Sequence, residues 1–450
     1  MHRKKKSSIC LTEGKVGKSL IYFALPMIMG NMLQQCYNLV DTWMIGRFVG
    51  ADALSAVGSS YALMTFLNSI LIGLCMGAGA IFAYYQGKGE EQKRLNCIQT
   101  AFFMLLLLAV VISVFVEIFV TPILRLLQTP EKLMNMMHQY IIIIFLGIFF
   151  IFLYNFFSFL LRSIGESFVP LVFLGIASVI NIVLDFIFIF HLRWAIQGAA
   201  WATVIAQIIA GIGLAFYTYW KYPSLRLSWK RFLQNEKPVR EILSFSAMSS
   251  AQQSIMNFGI LLVQGLVNSF GISVMAAFAA AVKIDTLAYM PAQEFGNAYS
   301  LFLSQNYGAG KEKRIRTGSK IAISITVLFC MMISGSVFYF AGSFMRIFVS
   351  AEETKIIQIG INYLRIEGSF YALIGILFLF YGYFRGINRP GISLVLTIVS
   401  LGTRVLLAYS FAYLHGVNGI WWSIPIGWLL ADALGIWLMC HNFYIHFTED

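Results

Sequence analysis

Long runs of apolar residues, separated by short polar segments, recur along the whole chain. Each run reaches the length of about 18 residues at which a helix can cross a hydrocarbon core. The pattern predicts an all-α integral membrane protein with twelve spans in two sets of six. The first set lies near residues 19–45, 54–82, 98–121, 137–160, 168–190 and 196–219. The second set lies near residues 242–268, 273–304, 319–341, 357–383, 392–412 and 418–441.

Composition and charge agree with a membrane protein. Hydrophobic residues make up 59% of the chain and charged residues 12%, whereas soluble domains have about 25% charged residues. The net charge of +12 could indicate a nucleic-acid partner. Most of the Lys and Arg, however, fall in alternate segments between the predicted spans, as in proteins that follow the positive-inside rule. We therefore expect a multi-pass protein of the cell membrane with both termini in the cytoplasm and no nucleic-acid partner.

The second half of the chain is a diverged copy of the first. A constant shift aligns Gly50 with Gly271 and Gly89 with Gly310, and QGKGEEQKR at 86–94 then resembles YGAGKEKRI at 307–315. Each copy holds an even number of spans, so both copies enter the membrane in the same direction. The repeat predicts an N-terminal lobe at 1–220, a cytoplasmic linker at 221–241 and a C-terminal lobe at 242–450.

Two aspartates are the most informative charges within the spans. An ionisable side chain inside a membrane helix costs about 2.5–3.5 kcal/mol, so it needs a partner or a function. Asp41 and Asp185 lie at matching depths, each late in a span that runs outward. Tyr37 and Asn181 stand one helical turn before them, on the same helix faces. Two such carboxylates in one cavity can take up a proton or hold a sodium ion.

The repeat indicates that this acidic pair is functional. The shift that aligns the two halves places Leu262 and Leu406 opposite the aspartates, so the twin fold does without them. Three further polar residues are predicted to contribute oxygen ligands or substrate contacts. They are Gln34 on the first span, Asn155 on the fourth and Thr203 on the sixth.

Several other residues within the spans carry weaker predictions. Glu294 is a candidate second proton site, and Pro26 is a candidate hinge because proline removes a backbone hydrogen bond from a helix. Arg404 and Asp432 on adjacent spans are candidates for an ion pair within the bundle. The six cysteines show no CxxC spacing, so we expect no bound cofactor beyond the coupling ion.

Six segments together resemble MATE (multidrug and toxic compound extrusion) transporters of the prokaryotic type. They are LPMIMGNMLQQCYNLVDTWMIGRFVGADALSAVG at 25–58, FLLRSIGES at 159–167, NIVLDFIF at 181–188, GAAWATVIAQ at 198–207, KIDTLAYMPAQEFGNAYSLFLSQNYGAGK at 283–311 and FRGINRPG at 384–391. The resemblance implies a V-shaped fold of two six-helix lobes. It also implies a monomeric antiporter that exports cationic or amphipathic molecules in exchange for H+ or Na+.

The same resemblance implies which residues hold the ion. The ligand set for Na+ would be Asp41, Asn181, Asp185 and Thr203, with Tyr37, Tyr140 and Asn155 nearby. Some members of the family instead use acidic residues in the C-terminal lobe. Here the tenth span offers only Glu367, near its outer end.

Two other classes of protein were weighed against an exporter. A flippase for lipid-linked sugars or other lipids would share the two-lobed architecture, but such proteins line their cavity with several cations and the spans here contain few. A membrane enzyme would need a clustered nucleophile, metal set or histidine pair, and neither H-E-x-x-H nor G-x-S-x-G occurs. The sequence leaves open which ion and which substrate are transported.

Overall fold

The computed structural model describes residues 9–126, 129–229, 232 and 238–446, and this part of the chain is helical almost throughout, without strands. The first half contains α1 (Val16–Met44), α2 (Ala51–Lys88), α3 (Glu91–Leu126), α4 (Glu131–Leu146), α5 (Ile148–Ser163), α6 (Phe168–Phe186) and α7 (Ala195–Lys221). The second contains α8 (Val239–Asn268), α9 (Ile272–Gly308), α10 (Glu312–Phe348), α11 (Thr354–Gly368), α12 (Tyr371–Gly386), α13 (Pro390–His415) and α14 (Val417–His446).

The helix count agrees with the predicted number of spans once bent helices are paired. Nine helices of the described chain are long and apolar enough to cross a membrane. Two further pairs pass the same test together: α4 with α5, bent by 46°, and α11 with α12, bent by 51°. The helix α8 has 30 residues and is not among these eleven; counted as a span by its length alone, it brings the number to twelve.

The fourth and tenth predicted spans are each broken into two helices. The predicted span at 137–160 breaks at Gly147, whose N–H turns back to the Ile144 carbonyl. A Cβ at this glycine would lie 2.9 Å from Val204 on α7, so the break also lets two helices approach closely. The predicted span at 357–383 breaks at the corresponding place, between α11 and α12. Both halves therefore bend the same element.

Aligned glycines give the repeat a backbone basis. Gly50 and Gly271 precede α2 and α9 with φ of 122° and 94°, and Gly89 and Gly310 follow α2 and α9 with φ of 74° and 63°. L-residues with a side chain rarely adopt these angles. The same two turns of each half thus require glycine, which is why these positions stayed alike while their surroundings diverged.

The chain divides by its internal contacts into two compact units. Unit 1 comprises Leu25–Ser250 with the residues up to Leu11, and unit 2 comprises Thr12–Ala24 with the residues from Ala251 onward. The division falls within α1 and α8. The lobe boundaries at 1–220 and 242–450 and the linker at 221–241 stay predictions.

Glycines let helices pack closely within each unit. In unit 1, a Cβ at Gly77 of α2 would lie 2.5 Å from the Phe245 carbonyl oxygen of α8. In unit 2, a Cβ at Gly382 of α12 would lie 2.4 Å from the carbonyl oxygen of Gly296 on α9. Membrane helices associate by such backbone approaches, because lipid tails remove the hydrophobic drive between apolar surfaces.

Two short π-helices position the candidate site. α1 continues into a π-helical turn at Ile45–Val49, and α6 continues into another at Ile187–His191. The two turns contact each other and α7. π-helical turns within helices are frequent at functional sites. Here each one directly follows the helix end that carries a predicted aspartate.

Candidate ion-binding site in unit 1

Asp41 and Asp185 lie together in the interior of unit 1. Asp41 is on the last turn of α1 and is 8% exposed, while Asp185 is on the last turn of α6 and is fully buried. The two side chains are near enough to interact electrostatically. Among the described residues no cationic side chain acts on either of them. The matching depths expected from the sequence therefore correspond to real proximity.

The buried oxygens at this place lack hydrogen-bond partners. Oδ1 of Asp41, Oδ1 of Asn181 and both carboxylate oxygens of Asp185 accept no hydrogen bond within the described chain. Leaving a buried polar group unsatisfied costs about 1–3 kcal/mol, and more for a charged group. Hard cations take such carboxylate and carbonyl oxygens as ligands, so the donor set fits Na+ as well as a proton.

A small cavity lies beside Asn181 and brings together α1, α6 and α7, and neither Asp41 nor Asp185 lines it. Its polar lining comes from Tyr37, Ser178, Asn181, Thr203 and Gln207. Asn181 donates a hydrogen bond from Nδ2 to Oγ1 of Thr203, with 3.5 Å between the two atoms. The amide and hydroxyl predicted as ligands thus meet across two helices.

Tyrosines surround the carboxylates. Tyr140 of α4 is 4% exposed and lies within electrostatic range of both aspartates and of Tyr37. Tyr37 is 9% exposed and hydrogen-bonds to Gln34, three residues before it on α1. Tyr37 and Tyr140 therefore lie beside the acidic pair, and Gln34 contacts Tyr37. Their roles at an ion site stay predictions.

Asn155 is placed differently. It is half-buried on α5, and its Nδ2 donates a 2.8 Å hydrogen bond to the Ile151 carbonyl of its own helix. It does not line the cavity. Its part in the ion site stays a prediction.

The sequence reasoning missed two residues at this site. Gln207 lines the cavity one turn after Thr203 on α7, so helical spacing alone could have found it. Tyr61 of α2 acts electrostatically on both Tyr37 and Tyr140. No spacing signal points to Tyr61, because it comes from a different helix.

Pro26 lies far from the carboxylates along α1. The helix runs from Val16 to Met44 without interruption and contains the proline in its interior. Pro26 is half-buried, and about four turns separate it from Asp41. A hinge role would therefore act on the helix that carries Asp41 and not on the ion directly.

Glu294 belongs to unit 2 and joins a polar network there. Its Oε1 accepts a hydrogen bond from Nδ2 of Asn297, and Oδ1 of Asn297 accepts one from the buried Arg385. Nε of Arg385 also donates to Oγ of Ser300 at 3.0 Å. The geometry ties Glu294 to a buried arginine, and its role as a proton site stays a prediction.

The expected ion pair between Arg404 and Asp432 is wrong. Both carboxylate oxygens of Asp432 are buried without a hydrogen-bond partner, and no charged group of the described chain acts on them. Arg404 instead acts on Asp285 and Glu367. Adjacency of spans in the sequence did not reveal which faces of α13 and α14 meet.

The sequence of this chain is similar to known proteins over nearly its whole length. The profile of the MatE family matches residues 26–187 and 247–410, one segment in each half. A probable multidrug resistance protein of Bacillus subtilis (strain 168), YpnP, is 31% identical over 94% of this chain and 94% of its own length. An FAD transporter of Shewanella oneidensis is 23% identical over 93% of both chains.

Solved structures share the fold. One, described as the outward-facing conformation of a multidrug resistance MATE family transporter, matches with a TM-score of 0.93 at 23% identity over 99% of each chain. A MOP superfamily transporter from Pyrococcus furiosus, whose binding pocket is described as having reverse polarity, matches with a TM-score of 0.92 at 23% identity. This second likeness covers 98% of this chain and 99% of that one.

Proposed function

Because the chain belongs to the MatE family of multidrug efflux transporters, we propose that it is a secondary active antiporter. It exports cationic or amphipathic small molecules in exchange for H+ or Na+. The observation that carries this proposal is the pair of buried aspartates, Asp41 and Asp185, which have unpartnered oxygens and no cationic side chain of the described residues acting on them.

The coupling step follows from charge balance. Two carboxylates in a low-dielectric interior repel each other, and burial penalises their charge. A bound cation lowers both costs, so the site binds an ion whenever access permits. Oxygens of Asn181 and Thr203 would complete the coordination of Na+, whereas a proton needs only the carboxyl pair. Release of the ion restores the repulsion between α1 and α6.

Conformational change is proposed to follow from this repulsion. The aspartates stand on the last turns of α1 and α6, where each helix passes into a π-helical turn. Loading and unloading the ion therefore changes the packing of two helix ends that contact each other. We infer that this change couples the ion to alternating access for the substrate, with Pro26 as the hinge in α1.

The proposed location in the membrane and the proposed substrates are supported by the sequence and by its relatives. The distribution of Lys and Arg supports a cell-membrane protein with cytoplasmic termini. Relatives described as multidrug resistance proteins support small-molecule substrates and no enzymatic activity, and the FAD transporter shows that substrates differ among relatives. We propose a monomer without cofactor or nucleic-acid partner.

Transport in liposomes tests the proposal. Purified protein is reconstituted, sodium and pH gradients are imposed separately, and a panel of cationic dyes is followed. Asp41→Asn and Asp185→Asn are expected to abolish gradient-driven export. Asp432→Asn is the matched control, because it removes a buried carboxyl in unit 2 on which no charged group of the described chain acts. Undiminished export by the two unit 1 variants, inserted at normal levels, refutes the coupling role.

A further inference from the structure

Unit 2 contains its own cluster of buried ionisable groups. Asp285 of α9, Glu367 of α11 and Arg404 of α13 are 4%, 2% and 8% exposed. Arg404 lies within electrostatic range of both acids but forms no salt bridge with either in the described part of the chain, and the two acids lie within electrostatic range of each other. Three helices thus bring two carboxylates and one guanidinium together in the interior of this unit.

Aromatic rings close this cluster off. The rings of Phe278, Tyr363 and Trp421 are each 1% exposed and contact one another, with centroids 5.5, 5.4 and 4.9 Å apart. Phe278 stands two turns before Asp285, and Tyr363 stands one turn before Glu367, so the rings share helix faces with the acids. The hydroxyl groups of Tyr289 and Tyr371 also lie within electrostatic range of the Asp285 carboxyl group. The surroundings are therefore apolar and phenolic.

Hydrogen bonds leave part of the cluster unsatisfied. Oδ1 of Asp285, Oε2 of Glu367 and Nε of Arg404 have no partner within the described chain. Attraction between opposite charges, together with packing, therefore contributes to holding the groups. The guanidinium is the only cationic side chain of the described chain that acts on Glu367.

The two units differ in the net charge of their buried ionisable groups. In unit 1, no cationic side chain among the residues that the structure describes acts on the two carboxylates, so neutrality requires cations from outside. In unit 2, two carboxyls that share one proton are neutral beside Arg404. Adding a further cation would leave a net positive charge in a low-dielectric interior, which is unfavourable.

The repeat shows the same difference along the chain. The shift that pairs Leu406 with Asp185 pairs Arg404 with Val183. The first half therefore carries an acid and no cation in this stretch of its fifth span, and the second half carries a cation and no acid. The two halves therefore carry opposite charges in corresponding helices.

We propose that Arg404 is a tethered counter-ion, which keeps the Asp285–Glu367 pair of unit 2 from exchanging a cation during transport. The chain then couples only through Asp41 and Asp185. This inference rests on the proposed antiport function and goes beyond it, because it limits cation exchange in each chain to one site, the Asp41–Asp185 pair of unit 1.

Cation binding to the purified protein tests the inference. Two probes are used: equilibrium binding of 22Na+, and proton uptake followed with an indicator dye on acidification across neutral pH. Arg404→Leu is expected to gain one bound cation per chain over the parent in one of the two measurements. Arg404→Lys, which keeps the charge, is expected to bind as the parent does. No gain in either measurement by folded Arg404→Leu protein overturns the inference.

A second variant covers the case in which Arg404→Leu does not fold. Glu367→Gln leaves one carboxylate beside one guanidinium, a neutral pair, so its cation binding is expected to equal that of the parent. Loss of a bound cation in either measurement overturns the inference.

A further set of variants distinguishes failure of the proposed antiport function from failure of the counter-ion inference. The double variant Asp41→Asn with Asp185→Asn is expected to lose the cation that the parent binds, and adding Arg404→Leu is expected to restore one. If the parent's binding survives the double variant, the coupling role of unit 1 fails, while the gain caused by Arg404→Leu still reports on the counter-ion.

Discussion

The rings of Phe48 and Phe190 lie 4.3 Å apart, centroid to centroid, and join the two π-helical turns that follow Asp41 and Asp185. Phe186 packs on Phe190 at 4.7 Å and Trp43 on Phe48 at 5.7 Å. Aromatic contacts therefore tie the end of α1 to the end of α6 next to the carboxylates.

Removing the ring of Phe48 should loosen the ion site. An aromatic pair contributes about 0.5–1.5 kcal/mol beyond burial, so Phe48→Ala is expected to weaken cation binding about two- to tenfold. Equilibrium cation binding to purified protein measures this. Phe115→Ala is the control, because it breaks a ring pair with Phe119 within α3. Equal losses in both variants would show that the effect is not specific to the α1–α6 contact.

Asn181 should matter through its side-chain oxygen. A polar contact to a charged group is worth about 1.5–3 kcal/mol, so Asn181→Leu is expected to weaken Na+ binding about tenfold or more if the coupling ion is Na+. Ser178→Ala is matched to it, since Ser178 lines the same cavity but donates to the Leu174 carbonyl of its own helix. Parent-like affinity in Asn181→Leu would exclude the amide as a ligand.

Pro26→Ala should separate transport from ion binding. Proline in a helix interior removes one hydrogen bond and costs about 3 kcal/mol, so alanine is expected to stiffen α1. Dye export should fall several-fold, while cation affinity stays unchanged because Asp41 lies about four turns away. Pro122→Ala changes the proline inside α3 and should leave both quantities at the parent level. Normal export by Pro26→Ala would remove the hinge assignment.

Ser300→Ala should destabilise unit 2. The hydroxyl accepts a hydrogen bond from Nε of the buried Arg385, and losing one bond to a buried charged group costs about 1–3 kcal/mol. Thermal unfolding in detergent is expected to begin at a lower temperature. Ser304→Ala, on the same helix, removes a buried hydroxyl that has no partner, so it is expected to be neutral or slightly stabilising. If Ser304→Ala unfolds at a lower temperature than Ser300→Ala, the hydrogen bond between Ser300 and Arg385 does not stabilise unit 2.

Part of the candidate site could be derived from the sequence because helix geometry is local. The spacing of four residues places Tyr37 with Asp41 and Asn181 with Asp185 on one face, and counting residues from the span ends gives equal depth for the two aspartates. These arguments need no knowledge of helix neighbours. The structure then shows the acids interacting.

The other part depends on which helix faces meet. The expected partner of Arg404 was Asp432, whereas the structure gives it Asp285 and Glu367 from α9 and α11. Periodicity states which side of a helix a residue occupies, but it contains no information about what packs against that side.

The sequence by itself determined the helical membrane-protein class, the twofold repeat and the position of each aspartate late in its predicted span, since hydropathy, glycine turns and residue counts act along the chain. Only the tertiary structure decided where the fourth and tenth spans bend, that π-helical turns follow Asp41 and Asp185, and that Arg404 stands with two acids. The physical reason is that close helix packing, as between Gly296 and Gly382, selects one rotation of each helix from many that the apolar pattern allows equally.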